Sequence, residues 1–126
     1  MHVLLLEPNT ILAKMYSRAL SDAGHSVAHA TGAQAAIDAA DKQQPDVVVL
    51  ELQLPTHSGI EFLHEFRSYP EWQQVPVIVH TLIVPPKIAV VSELLARDLG
   101  VAITLYKPQT SLRELIRAVE QASSAL

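Results

Sequence analysis

Asp46-Val47-Val48-Val49-Leu50-Glu51 is the stretch on which the fold class turns. Four consecutive apolar residues, three of them β-branched, are bounded by two carboxylates. A strand apolar on both faces belongs in the middle of a parallel sheet covered by helices on each side. Working outward, Val3 to Leu6 has the same character and is stopped by Glu7-Pro8. Ser26 to Ala30, Val75 to Thr81 and Ala102 to Tyr106 supply three more short strands. Between them the apolar residues recur at helical spacing. Ile11, Leu12, Met15, Ala19 and Leu20 predict a helix from about Thr10 to Ala23, with Asn9 or Thr10 as its cap and Gly24 at its end. Thr31 is expected to cap a second helix through Ala36, Ile37 and Ala40, which stops before Gln44-Pro45.

The third helix follows the loop Leu54-Pro55-Thr56-His57-Ser58-Gly59, presents Ile60, Phe62, Leu63 and Phe66 to a core, and closes at Pro70. Pro85-Pro86 opens a fourth helix that runs through Leu99 to Gly100. Thr110 or Ser111 caps a fifth, carrying Leu112, Leu115, Ile116 and Val119. Strands alternating with helices predict an α/β fold, a doubly wound five-stranded parallel sheet with five helices, because each parallel crossover needs a helix. One domain over residues 1–126 is expected, with 120–126 as the end of the last helix or the start of a linker.

Composition narrows the chemistry. With 49% apolar and 17% charged residues, the chain is too apolar for disorder and too interrupted for a membrane protein. It has no cysteine, which removes disulfides, thiolate metal sites and cysteine nucleophiles and fits a cytoplasmic setting. The net charge is −4 with the basic residues dispersed, so no nucleic-acid footprint is visible. No pair among the six histidines has metal-ligand spacing on a helix. The loop after the first strand, Glu7-Pro8-Asn9-Thr10, is not glycine-rich, which argues against dinucleotide binding. His57 and Ser58 lack the nucleophile turn that a hydrolase triad would need.

In open parallel sheets the site forms at the carboxyl ends of the strands. The residues there are Glu7, Pro8, Glu51, Thr81 and Lys107. In this spacing the chain, from Val3 to Val119, resembles the receiver domain of two-component response regulators, a flavodoxin-like fold. Pro45 to Pro55 followed by Ser58-Gly59 is similar to the segment around that family's phosphorylated aspartate, with Glu51 at the aspartate's place. Pro76 to Thr81 resembles the strand that carries the phosphate-binding hydroxyl, and Lys107-Pro108 resembles the family's lysine and its following proline.

The resemblance implies phosphotransfer from a histidine kinase, aided by magnesium held at an acidic pair that here reads Glu7-Pro8. Proline offers no carboxylate, so magnesium is not expected and no other cofactor is implied. Glu51 moves the acceptor oxygen out by about 1.5 Å, which spoils attack geometry. It could instead place negative charge partway to where a phosphoryl group would sit. The expectation is an atypical receiver that works as a regulatory interaction module. The alternative is a working phosphoacceptor receiver in a histidine-kinase phosphorelay, using an aspartate elsewhere or Glu51 itself; Asp46, which begins its strand rather than ending it, is a poor substitute.

Lys107 is expected to pair with Glu51 or Glu7, because a buried ammonium needs a partner. The family's aromatic switch position reads Thr104 here. In helix four, Val91, Leu95 and Leu99 can face the sheet, which leaves Val90 and Leu94 outside. With Arg113 and Arg117 of helix five, these form a candidate face for a protein partner or a homodimer through helix four, strand five and helix five.

Overall fold

The computed structural model describes residues 1–124. Five strands, β1 (His2–Leu6), β2 (Ser26–Ala30), β3 (Val47–Leu50), β4 (Val77–Thr81) and β5 (Val101–Tyr106), form one parallel sheet in the order β2-β1-β3-β4-β5. The helices are α1 (Thr10–Asp22), α2 (Ala33–Lys42), α3 (Gly59–Ser68), α4 (Pro85–Leu99) and α5 (Leu112–Ser124). This is the doubly wound arrangement that the sequence predicts. The expected helix end or linker start at 120–126 runs past the described residues.

Alternation along the strands divides the core in two. Val3, Leu5, Val47, Val49 and Ile78 face α1 and α5, where they meet Ala13, Tyr16, Leu20, Leu115 and Val119. Leu4, Leu6, Val48, Leu50, Val77 and Val79 face α2, α3 and α4, where they meet Ile37, Phe62, Phe66, Leu95 and Leu99. All four residues of β3 are buried, as a central strand demands.

The caps resolve several local choices. Asn9 accepts a hydrogen bond from the Leu12 N–H at 3.0 Å and starts α1. Ser111 and Glu114 exchange two bonds of 3.1 Å, a reciprocal capping box for α5. Thr31 does not cap α2; Gly32 occupies the cap position and no side chain bonds to the exposed N–H groups. β4 begins at Val77 rather than Val75. Pro76 has no N–H to give to a ladder, although its carbonyl accepts from Val48 at 3.0 Å. β5 begins one residue earlier than expected and carries a bulge at its start, where Val77 pairs with Val101 and Ile78 with Ile103.

Candidate functional site

Sheet register assembles the site. Leu6 pairs with Leu50 and Thr81 with Tyr106, so the next residues, Glu7, Glu51 and Lys107, emerge on one rim beside Thr81. All four are buried; Glu7 and Glu51 are each 2% exposed. Such charges are tolerated only when paired and hydrogen-bonded.

Lys107 Nζ donates to Glu7 Oε1 at 2.6 Å and to Glu51 Oε1 at 2.9 Å. The sequence left open which glutamate the lysine meets; it meets both. Glu51 Oε1 also accepts the Leu82 N–H at 2.9 Å. Its Oε2 accepts the Thr81 hydroxyl at 2.5 Å and the Gln53 N–H at 3.1 Å. A carboxylate has about four lone-pair sites, and on Glu51 four donors fill them. Glu7 Oε2 accepts the Asn9 N–H at 3.0 Å, and its backbone carbonyl accepts from His29 Nε2 at 2.8 Å. Thr81 Oγ1 in turn accepts the Ile83 N–H at 3.1 Å, so the segment after β4 is tied to the pocket through both Glu51 and Thr81.

These bonds set the electrostatics. Burial pushes the Glu51 carboxyl up, but the bonds from Thr81, Lys107 and Gln53 and the lysine's charge outweigh it and hold the group below the usual range. Burial raises the Tyr16 phenol to about 12, with Glu7 and Glu51 adding to the rise. His80, one residue before Thr81, is 2% exposed and packs edge-on against Tyr16 with ring centroids 5.0 Å apart. Its Nδ1 has no hydrogen-bond partner among the described residues. Burial lowers its pKa to about 4; the Lys107 charge adds to the fall and Glu51 opposes it.

Sequence reading did not single out His29, His80, Tyr16 or the N–H groups of Gln53 and Leu82. Tyr16 was detectable as one more position on the helical stripe of α1. The others carry no pattern in the chain.

Pro8 borders the pocket, and the other candidates lie outside it. Pro8 is half-buried beside Glu7, and Thr104 is half-buried in β5 opposite Val79. On α4, Ile88, Leu95 and Leu99 are buried and Val91 is half-buried, whereas Val90 is 81% and Leu94 42% exposed. Arg113 and Arg117 are exposed on α5, whose buried residues include Leu115, Ala118 and Val119. Among the described residues no helix is long and apolar enough to cross a membrane.

A family model, the response regulator receiver domain, matches residues 3–120. The chain belongs to the response regulator receiver domain family. Receiver domains of this kind are signalling modules of two-component systems, and they interact with histidine kinases and other proteins.

Among relatives, the probable transcriptional regulatory protein TcrX of Mycobacterium tuberculosis is 42% identical over 79 residues. That is 63% of this chain and 33% of that protein. The chain therefore spans about a third of the relative's length. Among solved structures, a sensor protein from Polaromonas superposes with a TM-score of 0.87 at 18% identity, covering 98% of this chain and 96% of that one. The receiver domain of a sensor histidine kinase from Pseudomonas aeruginosa has a TM-score of 0.81 at 22% identity, covering 98% and 97%. It is described with a magnesium ion coordinated in its active site cleft. At these identities the likeness is one of fold.

The receiver domain described here presents a poor donor set for that ion. Magnesium takes near-octahedral oxygen ligands. The Glu51 oxygens are fully engaged, Glu7 gives one oxygen to Lys107 and the other to Asn9, and Pro8 adds no side-chain oxygen. Among the described residues no group of three His, Cys, Asp or Glu side chains is placed to hold a metal.

Proposed function

We propose that this receiver domain is a cytoplasmic regulatory module that signals by contact with a protein partner or a second copy of itself, without accepting a phosphoryl group. The observation that carries the reading is the saturation of Glu51. A carboxylate oxygen attacks phosphorus through a free lone pair, and here both oxygens of the residue at the phosphoacceptor position are held by donors. Withdrawing Glu51 from Lys107 and Thr81 would leave a buried ammonium half-paired, a cost that opposes attack.

The same bonds support a second part of the proposal. Glu51 occupies the Thr81 hydroxyl and the Lys107 ammonium, the groups that the family resemblance assigns to phosphate, and so places carboxylate charge where a phosphoryl group would bring its own. The segment leading into α4 is thereby held in one arrangement without modification. Contact is assigned to α4, β5 and α5. β5 is an edge strand, and between it and α5 lies a shallow recess of about 230 Å³ lined by Ala102, Ile103, Ala118, Gln121 and Ala122. Val90 and Leu94 add exposed aliphatic surface on α4. An aliphatic face rimmed by Arg113 and Arg117 suits a protein partner better than nucleic acid.

Incubation with acetyl phosphate and magnesium, followed by intact mass measurement, tests the phosphate-independent reading. The expected spectrum shows the unmodified mass alone. A gain of one phosphoryl group that vanishes in Glu51→Gln would establish a working phosphoacceptor instead.

A further inference from the structure

Among the described residues one buried side-chain nitrogen has no hydrogen-bond partner, and it belongs to the residue that precedes Thr81. We infer that His80 makes this receiver domain responsive to protons: uptake of one proton by the buried ring loosens the end of β4 and frees the segment entering α4. This builds on the reading of Glu51 as that segment's tether and supplies the signal that undoes it.

His80 lies on the face of β4 that Ile78 also presents to α1 and α5. Tyr16 of α1 meets its ring edge-on, with centroids 5.0 Å apart, and α5 brings the apolar Leu115 and Val119 to the same layer. Leu105 of β5 stands beside it in the sheet. The charges that act on the ring come from the rim, Lys107 after β5 and Glu51 after β3, while Glu7 after β1 acts on Tyr16. The charged residues of α1 and α5 are all exposed. An imidazolium carries N–H donors on both ring nitrogens. No acceptor is placed for Nδ1, the Lys107 ammonium repels the new charge, and Glu51 already accepts four donors. The closed arrangement therefore refuses the proton.

Relief lies at the strand end. The Thr81 hydroxyl bonds Glu51 at 2.5 Å and accepts the Ile83 N–H at 3.1 Å, and the Leu82 N–H reaches Glu51 at 2.9 Å. Turning the adjoining ring toward solvent moves the backbone on which these three bonds depend. Protonation thus exchanges the tether for hydration of the ring, and the segment that leads into α4 is released. In the closed arrangement burial, with the Lys107 charge adding to it, lowers the ring's pKa to about 4. In the released one, solvent restores the ordinary value of about 6.5. The proton therefore favours release as pH falls from about 6.5 toward 4, and the ratio of released to closed chains rises about 20-fold between pH 7 and pH 5. Glu51, held below its ordinary 4.5, titrates beneath that window.

Amide hydrogen exchange of the full 126-residue chain, read residue by residue by NMR at pH 5 and pH 7 and corrected for intrinsic exchange rates, tests this. Leu82 and Ile83 are expected to be less protected at both values than Val48, whose N–H is bonded to the Pro76 carbonyl in the middle of the sheet; that difference marks local release rather than global unfolding. Their protection is expected to fall about 20-fold from pH 7 to pH 5. His80→Phe and His80→Gln each remove the titrating group, and either variant that folds is expected to hold the protection of Leu82 and Ile83 constant over that range. Equal protection of wild type at both values, protection of Leu82 and Ile83 matching that of Val48, or a pH response that survives in a folded variant would overturn the inference. Failure of both variants to fold would assign the ring to the structure of the core and overturn it too. A chain that gains a phosphoryl group from acetyl phosphate yet keeps the pH response would sink the phosphate-independent function and leave this inference standing. A chain that stays unmodified and shows no pH response would do the reverse.

Discussion

His80 shows how one residue can tie the pocket to pH. Its ring is buried against Tyr16, its Nδ1 has no hydrogen-bond partner among the described residues, and its pKa is lowered from 6.5 to about 4. Between those values the unfolded chain binds a proton that the folded chain refuses, so stability falls as pH drops from about 6.5 toward 4. The slope is that of one proton, about 1.4 kcal/mol per pH unit. Glu51 acts in the same sense: its folded pKa lies below the unfolded value, so its contribution is present at neutral pH and is lost on acidification. His80→Phe keeps the edge contact with Tyr16 and removes both the titration and the orphaned nitrogen. Urea midpoints at pH 5 and pH 8 should show a larger gain for the variant at pH 5. An equal gain at both values would mean that the histidine is not held neutral by the fold.

Among the elements, α3 owes its close approach to the pocket to one glycine. A Cβ on Gly59 would stand 2.7 Å from Leu52 Cα and 2.9 Å from the Glu51 carbonyl oxygen, and both obstacles are backbone. The Gly59 N–H donates to the Leu52 carbonyl at 2.8 Å, and Ser58 caps the helix through the Glu61 N–H at 3.1 Å. Gly59→Ala therefore forces α3 away from the end of β3. It is expected to cost about 1–3 kcal/mol in urea unfolding, the range for overpacking. A neutral result would show that the loop between β3 and α3 yields freely. Arg67, at the far end of α3, binds the carbonyls of Leu99 at 2.9 Å, Gly100 at 3.2 Å and Trp72 at 2.7 Å, which closes the end of α4. Nothing in its sequence neighbourhood marks it for that task.

For the whole molecule, the sheet order leaves β5 at an edge, with α4 and α5 on opposite faces. β5 carries no charged residue, and Ile103 is 43% exposed. Association through this face is expected to rest on aliphatic burial and to respond weakly to salt. Val90 and Leu94 are exposed enough that Val90→Glu and Leu94→Glu should alter stability by no more than about 0.5 kcal/mol. Sedimentation of wild type and both variants is expected to show association in the first and its loss in the others, with melting temperatures unchanged. A wild type that stays monomeric at high concentration removes self-association and leaves a separate protein partner. Unfolding of both variants would place the two residues in the core.

Hydrophobic period alone determined the alternation of strands and helices, the parallel sheet and the rim on which the site lies, because side-chain direction follows from backbone geometry at period 2 or 3.6. Glu7, Glu51, Thr81 and Lys107 were legible as strand-end residues for the same reason. Their bonding was not. Lys107 lies 100 residues from Glu7, and only the sheet register and the path out of β5 decide that it reaches both carboxylates rather than one. The local choices that failed, Thr31 as a cap and Val75 as the start of a strand, failed where chain path and a missing N–H outweighed propensity. His80 reads as one more residue of a buried strand, and neither its edge contact with Tyr16 nor the lack of a hydrogen-bond partner for its Nδ1 among the described residues is visible before the fold is formed. Sequence fixes which groups reach the rim, since that depends on neighbours along the chain. The tertiary structure decides what each group bonds to, since hydrogen bonds form over a few ångströms between residues that the chain keeps far apart.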